Sequence, residues 1–171
     1  MLKFHMNKLK YLSHYNEQTQ AEVHKLISEE KLSNYILHKY PTAHNYKTDK
    51  ALFTYTNELK TQYLKKFTLS KVIYDGKINV IHNALGTHKF ISRVQGGKLK
   101  AKNEIRIAPI FKNTPESFLN MIVVHELAHF KVKAHDKAFY SLCEHMQSDY
   151  HQLEFDLRLY LTNIDLFGAL Y

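Results

Sequence analysis

The chain has 171 residues, 44% of them hydrophobic and 13% aromatic, which suits one globular domain and excludes a disordered chain. No stretch approaches 18 uninterrupted apolar residues, the opening MLKFHMNKLKYL lacks a signal peptide's apolar run and cleavage site, and the single Cys143 has no internal disulfide partner. The net charge of +8 is uneven: residues 1–112 carry 20 Lys/Arg against 8 Asp/Glu, and residues 113–171 carry 4 against 8. A cytoplasmic protein with no membrane segment is expected. Its basic two thirds either face something anionic, such as a nucleotide or nucleic acid, or are a lysine-rich solubilising surface.

In chain order, Asn16 caps a helical run, EQTQAEVHKLISEEKLSNYILHKY, that stops before Pro41. Thr48 and Asp49 cap a second helix over 49–66, with Leu52, Tyr55, Leu59 and Tyr63 on one face. The period then changes. KVIYDGKINVI reads as two short strands joined by Asp75-Gly76, a strong hairpin signal. HKFISRV and EIRIAPIF are further strands, with QGGKLKAKN between them. Thr114 as cap and Pro115 as first residue open a helix that is apolar on almost every side through 132, the mark of a buried helix. Asp136 restarts a helix to about Met146, and Asp149 a last one to Leu161. Helices, a small antiparallel sheet and helices again make an α+β fold. A single domain over 1–171 is expected, with 1–70 an N-terminal helical segment and 71–171 the sheet and the metal-binding helices.

The buried helix contains HELAH. His125 and His129 are four residues apart, so both imidazoles lie on one face and reach one ion at about 2.0–2.1 Å. Glu126 is turned about 100° from His125 and flanks that ion, placed to deprotonate a water without displacing it. The HExxH spacing is a known metalloprotease signature. Burying two imidazoles and a carboxylate is costly unless something compensates them, and a metal does so directly.

His135 follows His129 by six residues, completing HExxHxxxxxH. In an unbroken helix it would be turned about 240° from His129, so the chain must leave the helix around Lys131–Ala134. Glu144 and Glu154, and more weakly His145 and His151, are rival third ligands. Arg93, Lys98, Lys100, Lys102 and Arg106 cluster around Gly96-Gly97 as a candidate anion cradle, or as the wet face of a strand. Tyr140 is a candidate oxyanion donor.

Four segments carry a family resemblance that runs nearly end to end: TDKALFTYTNELK, NALGTHKFISRVQGGKLKAKNEIRIA, FLNMIVVHELAHFKVKAHDKAFY and YHQLEFDLRLYL. They resemble the YgjP-like metallopeptidase-domain family, and HELAH…HDKAFY is also similar to the small zincin-like proteases of the SprT and WLM type. The resemblance implies a compact zincin-like core, zinc on His125, His129 and His135, and Glu126 as general base. One loop departs from the family pattern: Ser92-Arg93 is followed by Val94-Gln95-Gly96-Gly97 rather than Trp-Gly-Ser. Members are labelled peptidases and also nucleoside-triphosphate (UTP-type) pyrophosphatases.

The expectation is a hydrolase holding one Zn2+ per chain, or another divalent metal, and acting through metal-activated water on a peptide or a nucleoside triphosphate. A nucleic-acid-binding module with a structural zinc is the non-enzyme alternative. Structural zinc sites are closed and cysteine-rich, whereas this chain has one cysteine, outside the motif.

Overall fold

The computed structural model describes residues 9–78, 86–95 and 98–171, with side chains described outside 86–95 and 98–101. Two compact units are present. One comprises the described residues of Met1–Thr42 together with Gln152–Tyr171, and the other is Ala43–His151.

The first unit holds helices α1 (Glu17–Ser28) and α2 (Leu32–Lys39) and most of α6 (Tyr150–Phe167). The Asn16 side chain accepts from Thr19 N and caps α1, as its position suggests. The single long helix expected up to Pro41 is instead two. Lys31 N donates to Leu26 O and Glu30 N to Ile27 O, while Glu30 takes φ 55°. These are the paired bonds of a Schellman stop. The sequence hides it because the left-handed residue is Glu rather than Gly. Leu12, Leu32, Ile36 and Leu157 are buried in this unit, and Asp156 draws Lys39 (2.6 Å), the Tyr40 hydroxyl (2.5 Å) and Gln152 (3.0 Å).

The second unit holds α3 (Asp49–Tyr63), strands β1 (Leu69–Tyr74), β2 (Gly86–Gln95) and β3 (Lys98–Ile107), a 3-10 turn (Pro109–Asn113), α4 (Glu116–Ala128) and α5 (Lys137–Met146). Thus α3, expected in the N-terminal helical segment, folds with the sheet. The strand order is β1-β3-β2. β2 and β3 pair antiparallel, but β1 runs parallel to β3, so the expected antiparallel sheet is mixed. Alternation states which face of a strand is buried and says nothing of the direction of its neighbour. The Asp75-Gly76 turn does form: Ile78 N donates to Asp75 O, and Asp75 N donates to Ile107 O, prolonging the β1–β3 ladder. Residues 79–81 of the expected second hairpin strand lie outside the described residues.

KLKAKN, read from the sequence as lying between two strands and as either an anion cradle or the wet face of a strand, is strand, because the β2 ladder supplies its partners from Gln95↔Lys98 onward. Asn103, Ile105 and Ile107 alternate into the core. The strand stops at Ile107, and Pro109, which has no N–H for a ladder, starts the 3-10 turn instead. Asp49 accepts from Tyr74 N (2.9 Å) and the Tyr74 hydroxyl donates to Tyr46 O (2.6 Å), tying the start of α3 to the end of β1. No helix among the described residues is long and apolar enough to cross a membrane.

Candidate metal centre

The site is built on α4, and α4 exists because its environment is apolar. Phe118, Leu119, Val123, Val124, Leu127 and Ala128 are fully buried. Its start differs from expectation: Pro115 is the cap and Thr114 supplies no cap bond, its hydroxyl donating to Phe111 O (3.2 Å). Its end comes at Ala128, sooner than the expected 132. His129 is still in the αR region, and the last carbonyls are taken by tighter bonds, Phe130 N to Leu127 O and Lys131 N to Ala128 O. The chain then turns back. Asp136 accepts from Phe139 N (3.0 Å) and starts α5, which fixes His135 immediately before the cap.

The consequence is convergence. His135 Nε2 lies 3.1 Å from His129 Nε2 and 3.1 Å from His125 Nε2. Two nitrogens each about 2.05 Å from one zinc at a tetrahedral angle are about 3.3 Å apart, so the spacing fits a shared ion. The tautomers agree. His129 Nδ1 sits 3.0 Å from Val132 O, which can only accept, so Nδ1 carries the proton and Nε2 presents its lone pair. With that tautomer set, no arrangement of protons on neutral rings satisfies both 3.1 Å contacts. His135 Nε2 either donates once, leaving the other contact unmet, or turns a lone pair on His129. A cation between the three nitrogens resolves this.

Phe139, fully buried, floors the cluster, with its ring 4.9, 4.6 and 4.9 Å from those of His125, His129 and His135. Glu126, one residue round the helix from His125, is only 2% exposed. Burial pushes its carboxyl up to about 8. A cation beside it would act in the opposite sense.

The rival ligands are engaged elsewhere. Glu144 faces His151 (3.5 Å), Glu154 faces Arg158 (3.3 Å), and the His145 ring packs edge-on against Tyr63. Among the described residues, His125, His129 and His135 form the one group of three or more ligating side chains within reach of a common ion.

The family model for the YgjP-like, metallopeptidase domain matches residues 5–160. The chain belongs to the YgjP-like family. A protein of Escherichia coli named UTP pyrophosphatase is 57% identical over 162 residues, covering 94% of this chain and 97% of that protein. No solved structure matches. The resemblance that runs nearly end to end is therefore membership, and the chain is a metal-dependent hydrolase of the YgjP-like family.

Within this YgjP-like chain the basic cluster divides. The side chains of Arg93, Lys98 and Lys100 lie outside the described residues, though the ladder sets Arg93 opposite Lys100 and Ile91 opposite Lys102. Lys102 is half-buried. Arg106 bonds Asp75 (2.7 Å) and approaches Glu104 (3.7 Å), so carboxylates already neutralise it. Tyr140 is half-buried with its ring against Phe139, Tyr150 and His151.

Sequence reasoning missed Phe139, the Val132 carbonyl and Tyr150, whose hydroxyl lies 2.7 Å from His125 Nδ1. Periodicity marks Phe139 and Tyr150 as core and carries no sign of what their rings touch. The Val132 carbonyl is a backbone group, so its bond to His129 follows from the turn after α4 and not from the residue's identity.

Proposed function

We propose that this protein is a cytoplasmic zinc hydrolase that cleaves the phosphoanhydride of a nucleoside triphosphate, UTP-like in class. The observation that carries the metal part is that His135 Nε2 lies 3.1 Å from the Nε2 atoms of both His125 and His129, beside the buried Glu126. The substrate part is supported by the 57% identity to a UTP pyrophosphatase and by the +12 balance of residues 1–112 (20 Lys/Arg less 8 Asp/Glu).

His125, His129 and His135 would hold the ion, three ligands leaving a fourth position open. A bound ion would supply an acidified water and a positive charge toward the substrate oxygen. Glu126 accepts the proton of the attacking water through its carboxylate. The water oxygen joins the α-phosphorus, the α–β anhydride bond breaks, and pyrophosphate leaves with the proton Glu126 returns. Lys98, Lys100 and Lys102, with Arg93 opposite Lys100, would meet the phosphates. Arg106 contributes less, since Asp75 and Glu104 already engage it.

Peptide hydrolysis is the second reading, favoured by the metallopeptidase name of the family model. The deciding experiment incubates zinc-loaded protein with each common nucleoside triphosphate, casein and a mixed peptide library. Pyrophosphate release, fastest from a pyrimidine triphosphate, is the expected result. New amino termini without pyrophosphate would restore the peptidase reading.

A further inference from the structure

The three imidazoles are oriented by different means. His129 is held by a backbone carbonyl and His135 by the cap of the next helix, as described above. His125, on the face of a buried helix, meets a side chain from 25 residues further on: Tyr150, the first residue of α6. The Tyr150 hydroxyl lies 2.7 Å from His125 Nδ1, and its ring lies 6.4 Å from the imidazole, nearly parallel at 18°. Tyr150 is fully buried, and its backbone N–H is fixed on Gln147 O (3.0 Å), so the phenol has little room to swing away.

We propose that Tyr150 is a positioning residue of the metal centre, its phenolic oxygen accepting a hydrogen bond from the Nδ1–H of His125 so that the Nε2 lone pair of that ring stays aimed at the ion. This rests on the reading that the three histidines hold a metal. The choice of a phenol has a chemical consequence. Metal-bound histidines commonly donate to a carboxylate, which raises the basicity of the imidazole. A carboxylate at 150 would place a second anionic group in a region already burying Glu126. A neutral acceptor fixes the tautomer without adding charge, and it leaves the ion more electron-poor and so better able to polarise a substrate oxygen.

The alternative is that Tyr150 merely buries its ring and satisfies its hydroxyl on the nearest nitrogen. Tyr74→Phe is the matching control, because it deletes a buried tyrosine hydrogen bond in the same unit, to Tyr46 O, with no metal ligand involved. Zinc dissociation constants, measured by chelator competition, and the visible spectrum of the cobalt-substituted protein are compared for wild type, Tyr150→Phe and Tyr74→Phe. Tyr150→Phe should weaken zinc binding about 10–100-fold and alter the cobalt bands. Tyr74→Phe should lose thermal stability while keeping the wild-type zinc affinity and spectrum. Wild-type affinity and unchanged bands in Tyr150→Phe would overturn the proposal while leaving the metal reading intact. Wild-type protein that binds no zinc would overturn both. If Tyr150→Phe does not fold, the nitrogen-15 spectrum of zinc-loaded wild type decides. A protonated, hydrogen-bonded His125 Nδ1 supports the proposal, and an unprotonated one sinks it.

Discussion

Replacing His135 by alanine tests whether the third ligand comes from the turn after α4 or from the later helices. The magnitude follows from the geometry. Structural zinc held by four ligands binds with about 10–16 kcal/mol, so one ligand is worth roughly 2.5–4 kcal/mol. At 1.4 kcal/mol per decade, His135→Ala should weaken zinc binding about 10²–10³-fold. His135 is exposed, so the metal-free protein should change by less than about 0.5 kcal/mol. The loss therefore appears only with metal present. At saturating zinc, the mutant should forgo about 5–15 °C of the melting-temperature gain that wild type shows. Glu144→Gln and Glu154→Gln should bind zinc as wild type does, since their carboxylates face His151 and Arg158. Chelator competition and thermal scans with and without zinc measure both quantities. A Glu154→Gln protein stripped of metal beside a His135→Ala protein that keeps it would refute the assignment.

Other expectations separate the roles around the ion. Glu126→Gln should retain one zinc by elemental analysis while kcat falls about 10²–10⁴-fold, and simultaneous loss of metal would make Glu126 a ligand. Neutralising Lys98, Lys100 and Lys102 together should raise KM for a nucleoside triphosphate and flatten its salt dependence, leaving zinc content unchanged. An unaltered KM removes the lysines from the site. His44 gives a pH effect independent of the metal. Its Nδ1 accepts from Tyr46 N (2.9 Å) and its Nε2 donates to Phe111 O (2.6 Å), so the folded protein holds it neutral. Burial lowers its pKa below 6.5, against the opposing pull of the Phe111 carbonyl and Glu116. The native state thus binds fewer protons than the unfolded state, and stability is lost as pH falls below about 6.5, by at most about 1.4 kcal/mol per unit. Urea titrations at pH 7.5 and 5.5 should show a smaller difference for His44→Gln than for wild type, and equal differences would exclude this residue.

What the sequence discloses is local, and what it conceals depends on partners. The caps at Asn16, Thr48 and Asp136 all form, because each needs only a side chain and an N–H three residues on. The shared face of His125 and His129 is equally local, and the exit that admits His135 was forced by the rotation argument. The parallel pairing of β1 with β3 was not legible, since burial alternates in the same way whichever direction the neighbour runs. The alternation of Lys98, Lys100 and Lys102 left a strand's wet face open beside an anion cradle, and the β2 ladder makes the segment strand. The break at Glu30 escaped notice because glycine is absent from a position where glycine is the usual marker. Tyr150 was invisible for a different reason: only the fold brings it to His125.

The same distinction explains how one family bears a peptidase name while a relative is named for pyrophosphate release. On the proposed reading the chemical core occupies eleven consecutive residues, His125 to His135. Its tasks would be to acidify water, take up a proton and polarise an oxygen, and a carbonyl and a phosphoryl group both offer such an oxygen. Nothing in that core selects between them. Selection must come from groups that touch the rest of the substrate, because only interactions made in the transition state of one reaction and absent from the other can separate their rates. In this chain the candidates for that work sit on the β2–β3 hairpin, whose ladder sets Arg93 opposite Lys100. The departure from the family's Trp-Gly-Ser continuation follows Arg93 directly in sequence. Exchange of residues 94–97 with the family pattern should therefore move substrate preference while the zinc affinity of the histidine cluster stays where it is. A loop exchange that alters metal binding and leaves substrate preference untouched would place selectivity elsewhere in the molecule.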